Sequence, residues 1–500
     1  MSQAFSRRMR PALVTGLAAL TALVSVERAQ AATTSVIVMQ EAGVSAESAV
    51  RAAGGQVEHR LPTIDAFTAT VPAEALAPLR AEPGVRAVVV DTPLRLSEAD
   101  GADADAGVRM SLVRQAVGAV DTATGAGVGV ALIDSGVTAV PGLATSNVVV
   151  GPDFSSEARD PDLARRDGFG HGTHLAGVIA GQDAATGFAG LAPGARLVSV
   201  KVADHEGATA LSSVLAGIDW TVRNAQRPEL GIRVLNLAFG ADTPGNYRVD
   251  PLAAAVEVAW QRGIVVVTSA GNGGPTTTAL DSPAFDPYVI AVGADDTLDT
   301  PAPADDRIAD FSSRGSAQRA PDVIAPGVGI VSLRVPGGVL DEAFPQARIG
   351  ETSFRGSGTS QAAAVVTGAV ARLLQVRPQL KPDEIKAVLK ASATPLAGVD
   401  PRLQGAGLIN LQTAVGAPAV NADQRWPRSL GGFFAGRIGV QFAVENDRPN
   451  GGRWRASRWT ASRWTASRWT ASRWTASRWT ASRWTASRWT ASRWTTSLWG

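Results

Sequence analysis

The apolar positions of this chain fall into four stretches with different periods. Residues 12–26 form a mostly apolar run behind Arg7, Arg8 and Arg10, closed by Ala29-Gln30-Ala31 as a small-residue cleavage site. That order of charged, apolar and small segments predicts an export signal over residues 1–31, and Ser6-Arg7-Arg8 hints at the twin-arginine route. From 35 to 90 short strand-like runs alternate with amphipathic ones. Residues 35–39, 56–59, 66–71 and 85–90 read as strands, 46–53 and 73–80 as helices. The resulting βαββαβ order predicts a small ferredoxin-like α+β domain.

From about 108 to 420 solid apolar runs replace the alternation, as strands buried on both faces require. The clearest strands are 128–133, 196–202, 233–239, 264–268 and 289–292. Helices fit 171–181, 209–225, 251–261, 360–376 and 382–392, the last opening on Lys381-Pro382-Asp383-Glu384. Strands alternating with helices predict a doubly wound, mostly parallel α/β sheet. The final stretch, 456–495, is eight copies of Ala-Ser-Arg-Trp-Thr. A period of five fits neither helix nor strand, so a low-complexity tail is expected. The predicted organisation is thus 1–31 signal, 32–107 small domain and linker, 108–420 main domain, and 421–500 linker and repeat tail.

Charge divides the chain along the same lines. The whole carries +2, but residues 421–500 hold 14 arginines against three acids, while 32–420 is acidic by 12. Ten Trp and ten Arg in the last fifty residues invite cation–π contacts and adhesion to an anionic surface, be it nucleic acid, membrane or wall polymer. There is no cysteine, which excludes disulfides and thiol chemistry. No later segment offers ~18 uninterrupted apolar residues for a membrane span.

Candidate chemistry gathers at element ends. Ser360 lies in Gly356-Ser357-Gly358-Thr359-Ser360-Gln361, where a helix begins; a hydroxyl there needs a base, a group orienting that base, and oxyanion donors. Asp134 ends the run 128–133, His171 opens Gly170-His171-Gly172-Thr173-His174, and Asn272 ends Val265-Val266-Val267-Thr268-Ser269-Ala270-Gly271-Asn272. In such sheets ligands sit beyond the carboxyl ends of strands, where Asp134 and Asn272 fall. His174 is expected to be structural; His59 and His205 have no evident partner.

These four blocks, in the order Asp, His, Asn, Ser, resemble the subtilisin-like serine proteases over roughly residues 35 to 415. The resemblance implies an exported endopeptidase in which Asp134, His171 and Ser360 form a triad. Asn272 and the Ser360 amide would bind the oxyanion. It also implies that the N-terminal domain is a propeptide, an intramolecular inhibitor cut away by the enzyme itself through the 97–107 linker. Ala238, Phe239 and Gly240 match the segment that pairs with substrate backbone. Ser269, Ala270 and Gly271 match one pocket wall, Ser282-Pro283-Ala284 another, and Asp281 falls near the base, where it would favour basic residues. Gln361 and Ala364 replace the Met and Pro usual beside the nucleophile. The calcium positions of many relatives fall on Gly142 and Ala184, which lack side-chain oxygens, so that site is expected to be weak or missing. A monomer acting on proteins or peptides is expected. The competing readings are a surface-binding protein with a vestigial hydrolase body, and an esterase; the second is disfavoured because Ser360 is not set in Gly-x-Ser-x-Gly.

Overall fold

Alternate residues of the first strand decide how the N-terminal part is built. β1 (Thr33–Gln40) turns Val36 and Val38 to one face, where they close a small core with Val50, Phe67, Ala69, Val71, Leu79 and Val88. Ile37 and Met39 turn the other way and join the core of the main domain. α1 (Glu47–Ala52), β2 (Gln56–Leu61), β3 (Ala66–Pro72), α2 (Leu76–Leu79) and β4 (Val85–Val90) complete the unit, an antiparallel sheet of order β2-β3-β1-β4. α2 is shorter than the predicted 73–80, because Ala73–Ala75 is a 3-10 turn and only four residues are α-helical. The computed structural model describes residues 32–96 other than 42, residues 107–419 other than 120–121, 144–146 and 242–245, and residues 422–429. The predicted signal, the 97–106 linker and the pentapeptide repeats lie outside these described residues.

The main domain is a sheet of eight strands with helices packed on it. In chain order its parts are β5 (Gly129–Asp134), β6 (Val148–Asp153), α3 (His171–Ala180), β7 (Arg196–Lys201), α4 (Leu211–Asn224), β8 (Ile232–Leu237) and α5 (Pro251–Gln261). There follow β9 (Val265–Ser269), β10 (Ile290–Asp296), β11 (Arg307–Ile308), β12 (Val323–Pro326), α6 (Thr359–Val376) and α7 (Pro382–Ser392). The strand order is β11-β10-β9-β8-β5-β7-β6, with β12 also beside β10. Every pairing is parallel except β10 with β11. The predicted strands 128–133, 196–202, 233–239, 264–268 and 289–292 correspond to β5, β7, β8, β9 and β10. β6, β11 and β12 were not predicted: β6 is an edge strand with Val150 58% exposed, and β11 and β12 are only two and four residues long, so none gives a solid apolar run.

The chain passes from β5 to the far edge, returns as β7 beside β5, then crosses to β8 on its other side. The strand order therefore reverses at β5, and a crevice opens beyond its carboxyl end. Asp134 is the last residue of β5.

The N-terminal part reaches this same end. After β4 the segment Pro93–Leu96 leaves its sheet and runs antiparallel between Ala208–Ala210 and Phe239–Gly240, forming a separate three-stranded sheet. Leu94 and Leu96 are buried in the main core, and the Leu96 N–H donates to Gly207 O at 3.1 Å. Asp91 accepts from Ser212 N (2.9 Å) and Ser212 Oγ (2.6 Å), capping the amino end of α4.

Candidate active site

β5 delivers Asp134 to the crevice fully buried, with donors already in place. Its Oδ1 accepts from Ser135 N at 2.8 Å. Oδ1 and Oδ2 face His171 Nδ1 at 2.8 and 3.0 Å. A carboxylate so placed fixes the imidazole with Nδ1 protonated and Nε2 as the basic end. The amino end of α3 can approach this closely because position 172 has no side chain: a Cβ on Gly172 would fall 2.1 Å from Gly136 O.

Asp167 holds the turn between these residues. Its carboxylate is buried and accepts from Gly170 N (2.7 Å), Phe169 N (3.2 Å) and Thr173 N (2.7 Å), so it caps α3. The Ser135 hydroxyl lies 2.9 Å from Asp167 Oδ1 and 3.2 Å from Asp134 Oδ1, and accepts from Gly172 N at 3.0 Å. This second acid was not singled out from the sequence. Its one signal was an Asp just ahead of a helix start, in Asp167-Gly168-Phe169-Gly170-His171.

Ser360 stands in the first turn of α6, buried, with its Oγ donating to Ala238 O at 3.0 Å. Its backbone N–H belongs to the helix's amino end, where the macrodipole favours negative charge. Asn272 is oriented by its oxygen, which accepts from Thr359 N at 2.9 Å and Thr359 Oγ1 at 2.8 Å. The Thr359 hydroxyl in turn accepts from Gly271 N at 3.2 Å. With Oδ1 so engaged, Nδ2 is the end turned toward the space over Gly358, 3.3 Å from where a Cβ on that glycine would sit.

Of the expected cleft residues, Phe239 and Gly240 pair with the extended segment Pro93–Leu96, and Ala238 touches the Ser360 hydroxyl. Ser269 and Ala270 are buried at the end of β9, followed by Gly271. Asp281 lies between the two walls: a Cβ on Gly240 would meet its Oδ2 at 2.4 Å, and one on Gly271 at 2.5 Å. The two glycines form a slot that the Asp281 carboxylate fills.

The remaining histidines find structural partners. His174 Nε2 is 3.2 Å from both Ile330 O and Phe354 O, and burial, then the nearby His171, lower its pKa to about 4. His205, which had no evident partner, pairs through Nδ1 with Glu157, and this hydrogen bond raises its pKa. His59 sets its ring edge-on to Phe154 at 6.1 Å. Among the described residues, no group of three or more His, Asp or Glu gathers to hold a metal. Gly142 has φ 98°, and a Cβ there would meet Leu333 at 2.7 Å. Ala184 is exposed in the turn after β-paired Gln182–Asp183.

Comparison with known proteins gives the family and the fold. The subtilase family (peptidase S8) matches residues 125–418. Serine protease AprX of Bacillus subtilis (strain 168) is 36% identical over 319 residues, 62% of this chain and 71% of its own length. Subtilisin E of the same strain is 33% identical over 364 residues, 72% of this chain and 83% of its own. Among solved structures, fervidolysin from Fervidobacterium pennivorans, a keratinolytic enzyme related to subtilisin, matches with a TM-score of 0.63 at 26% identity. That match covers 79% of this chain and 63% of fervidolysin.

Proposed function

This chain belongs to the subtilase family and is a subtilisin-like serine endopeptidase; from that premise we propose that Asp134, His171 and Ser360 are its catalytic triad and Asn272 its oxyanion-hole side chain. His171 Nε2 takes the Ser360 proton as Oγ attacks the scissile carbonyl, and returns it to the leaving amine. Asp134 holds the imidazole and stabilises its charged form. The Ser360 N–H and Asn272 Nδ2 donate to the oxyanion, a contribution of roughly 3 kcal/mol for an asparagine donor of this kind. Water then releases the acyl group by the same path. The observation that carries the reading is the buried Asp134–His171 contact at 2.8 Å at the sheet's switch point, beside the helix that carries Ser360 in its first turn. A fluorophosphonate probe tests it: wild-type protein labels, Ser360→Ala does not, and labelling of the variant would remove Ser360 from the mechanism.

The finer expectations belong to the same reading. Residues 32–107 act as a propeptide, with Pro93–Leu96 occupying the cleft as a substrate would, by adding a strand between two edges. The enzyme is exported and frees itself by cutting the linker. Asp281 in its slot gives a mild preference for Arg or Lys before the scissile bond. The Arg/Trp repeats attach the enzyme to an anionic surface.

A further inference from the structure

The sequence reading starts the tail at 421, yet residues 422–429 lie along the main domain, tied down one after another. Gln424 Nε2 donates to Tyr288 O at 2.9 Å and Asp383 Oδ1 at 3.0 Å. Tyr288 OH donates to Trp426 O (2.6 Å), and Tyr247 OH to Pro427 O (2.5 Å). Arg428 reaches Gln261 at 2.6 Å. Ser429 follows: its N–H donates to Glu257 Oε1 at 2.7 Å, and its hydroxyl lies 2.8 Å from Tyr247 O and 3.1 Å from Asp250 O.

These contacts converge on the parts that flank Asp281. Asp250 caps α5 through Leu252 N at 2.8 Å, and its other oxygen accepts from the Ser282 hydroxyl. Ser282 is the residue after Asp281, and its backbone pairs both ways with Ala241, at 2.9 and 3.1 Å. Ala241 follows Gly240, one wall of the slot. Tyr247 packs edge-on against Phe285 at 6.3 Å, so the 282–288 turn is held from the strap side as well. The links through Glu257, Asp250 and Ser282 are buried, where hydrogen bonds resist displacement most.

We propose that residues 422–429 are a strap that positions the pocket for the residue before the scissile bond, with Ser429 and Tyr247 as its positioning residues. The proposal rests on the reading that Gly240, Gly271 and Asp281 line that pocket. It implies that the catalytic unit reaches at least to Ser429, and that the first residues beyond the family match serve selectivity. A side chain that enters the pocket gains from the fixed wall; glycine at that position has nothing to place there.

The test uses the full chain carrying Ser429→Ala or Tyr247→Phe, with Ser429→Thr as the conservative control. Peptides identical except for Arg, Phe or Gly before the scissile bond are compared by kcat and KM. The expected result is a rise of about 10-fold in KM for the Arg and Phe peptides, with kcat and the Gly peptide unchanged, and recovery in Ser429→Thr. Equal losses on all three peptides, or no change in KM, would overturn the strap's role. A wild-type chain that cleaves none of the peptides would instead overturn the peptidase reading beneath it.

Discussion

The main sheet and the N-terminal sheet bury their faces in opposite ways. The main sheet is covered on both sides by helices of its own domain, so β5, β7, β8 and β9 are buried almost throughout and need no other part of the chain. The N-terminal sheet covers one face with α1 and α2 and gives the other, Ile37, Met39, Leu61, Ala66, Ala87 and Val89, to its neighbour. A unit of some sixty residues is marginal even when all its apolar surface is satisfied internally. This one has surrendered half of it. The difference teaches that the smaller region is held mainly by a surface it does not own, which fits its proposed role as a removable propeptide.

The largest expected effect falls on the proposed covalent separation of the two regions. Ser360→Ala should lower peptide hydrolysis by on the order of 10⁶ and leave residues 35–107 attached, read by intact mass after expression in a protease-poor host. A normally processed variant would show that another enzyme makes the cut. Next in size, residues 33–96 produced alone should give little or no cooperative thermal transition by circular dichroism, and should gain one when mixed with the Ser360→Ala main domain. A sharp transition in isolation would mean that the exposed face is dispensable.

Asp91→Ala sharpens the comparison at a single contact. Removing this cap of α4 should weaken the hold of the N-terminal region by ~1 kcal/mol, roughly fivefold in inhibition constant. The smallest effect lies inside the main domain. Asp295 and Asp306 face each other with their carboxyl oxygens buried, and burial raises both pKa values; the charge of Asp306 raises that of Asp295 further, while the Asp295 carboxyl partly lowers that of Asp306. A raised carboxyl stabilises the fold fully below its ordinary pKa of about 4, and that contribution is lost as pH rises toward about 9. Asp295→Asn should therefore flatten the fall in melting temperature between pH 5 and 9 by a few degrees. An unchanged slope would show that the pair is solvated.

How much was legible in advance follows the same physics. Strands buried on both faces advertise themselves as solid apolar runs, and their polar ends marked Asp134 and Asn272. His171 and Ser360 were visible as polar residues opening helices rich in small side chains. Asp167 was not, because a buried capping carboxylate looks in sequence like any loop acid. β6 was hidden by its exposure. The strap was hidden because Gln424, Trp426 and Ser429 make polar contacts, many to backbone carbonyls, and backbone partners leave no pattern in the side chains.

On the proposed reading, in which Pro93–Leu96 sits between two short edges as a substrate would, this four-residue strand sets what a client must do to be cut. About 13 Å of its backbone has to be fully extended and stripped of its own hydrogen bonds before the edges can pair with it. A helix or an inner strand of a folded protein cannot meet that condition without opening first. The rate of attack on such proteins is then governed by their local unfolding free energy, so the enzyme reads foldedness before it reads side chains.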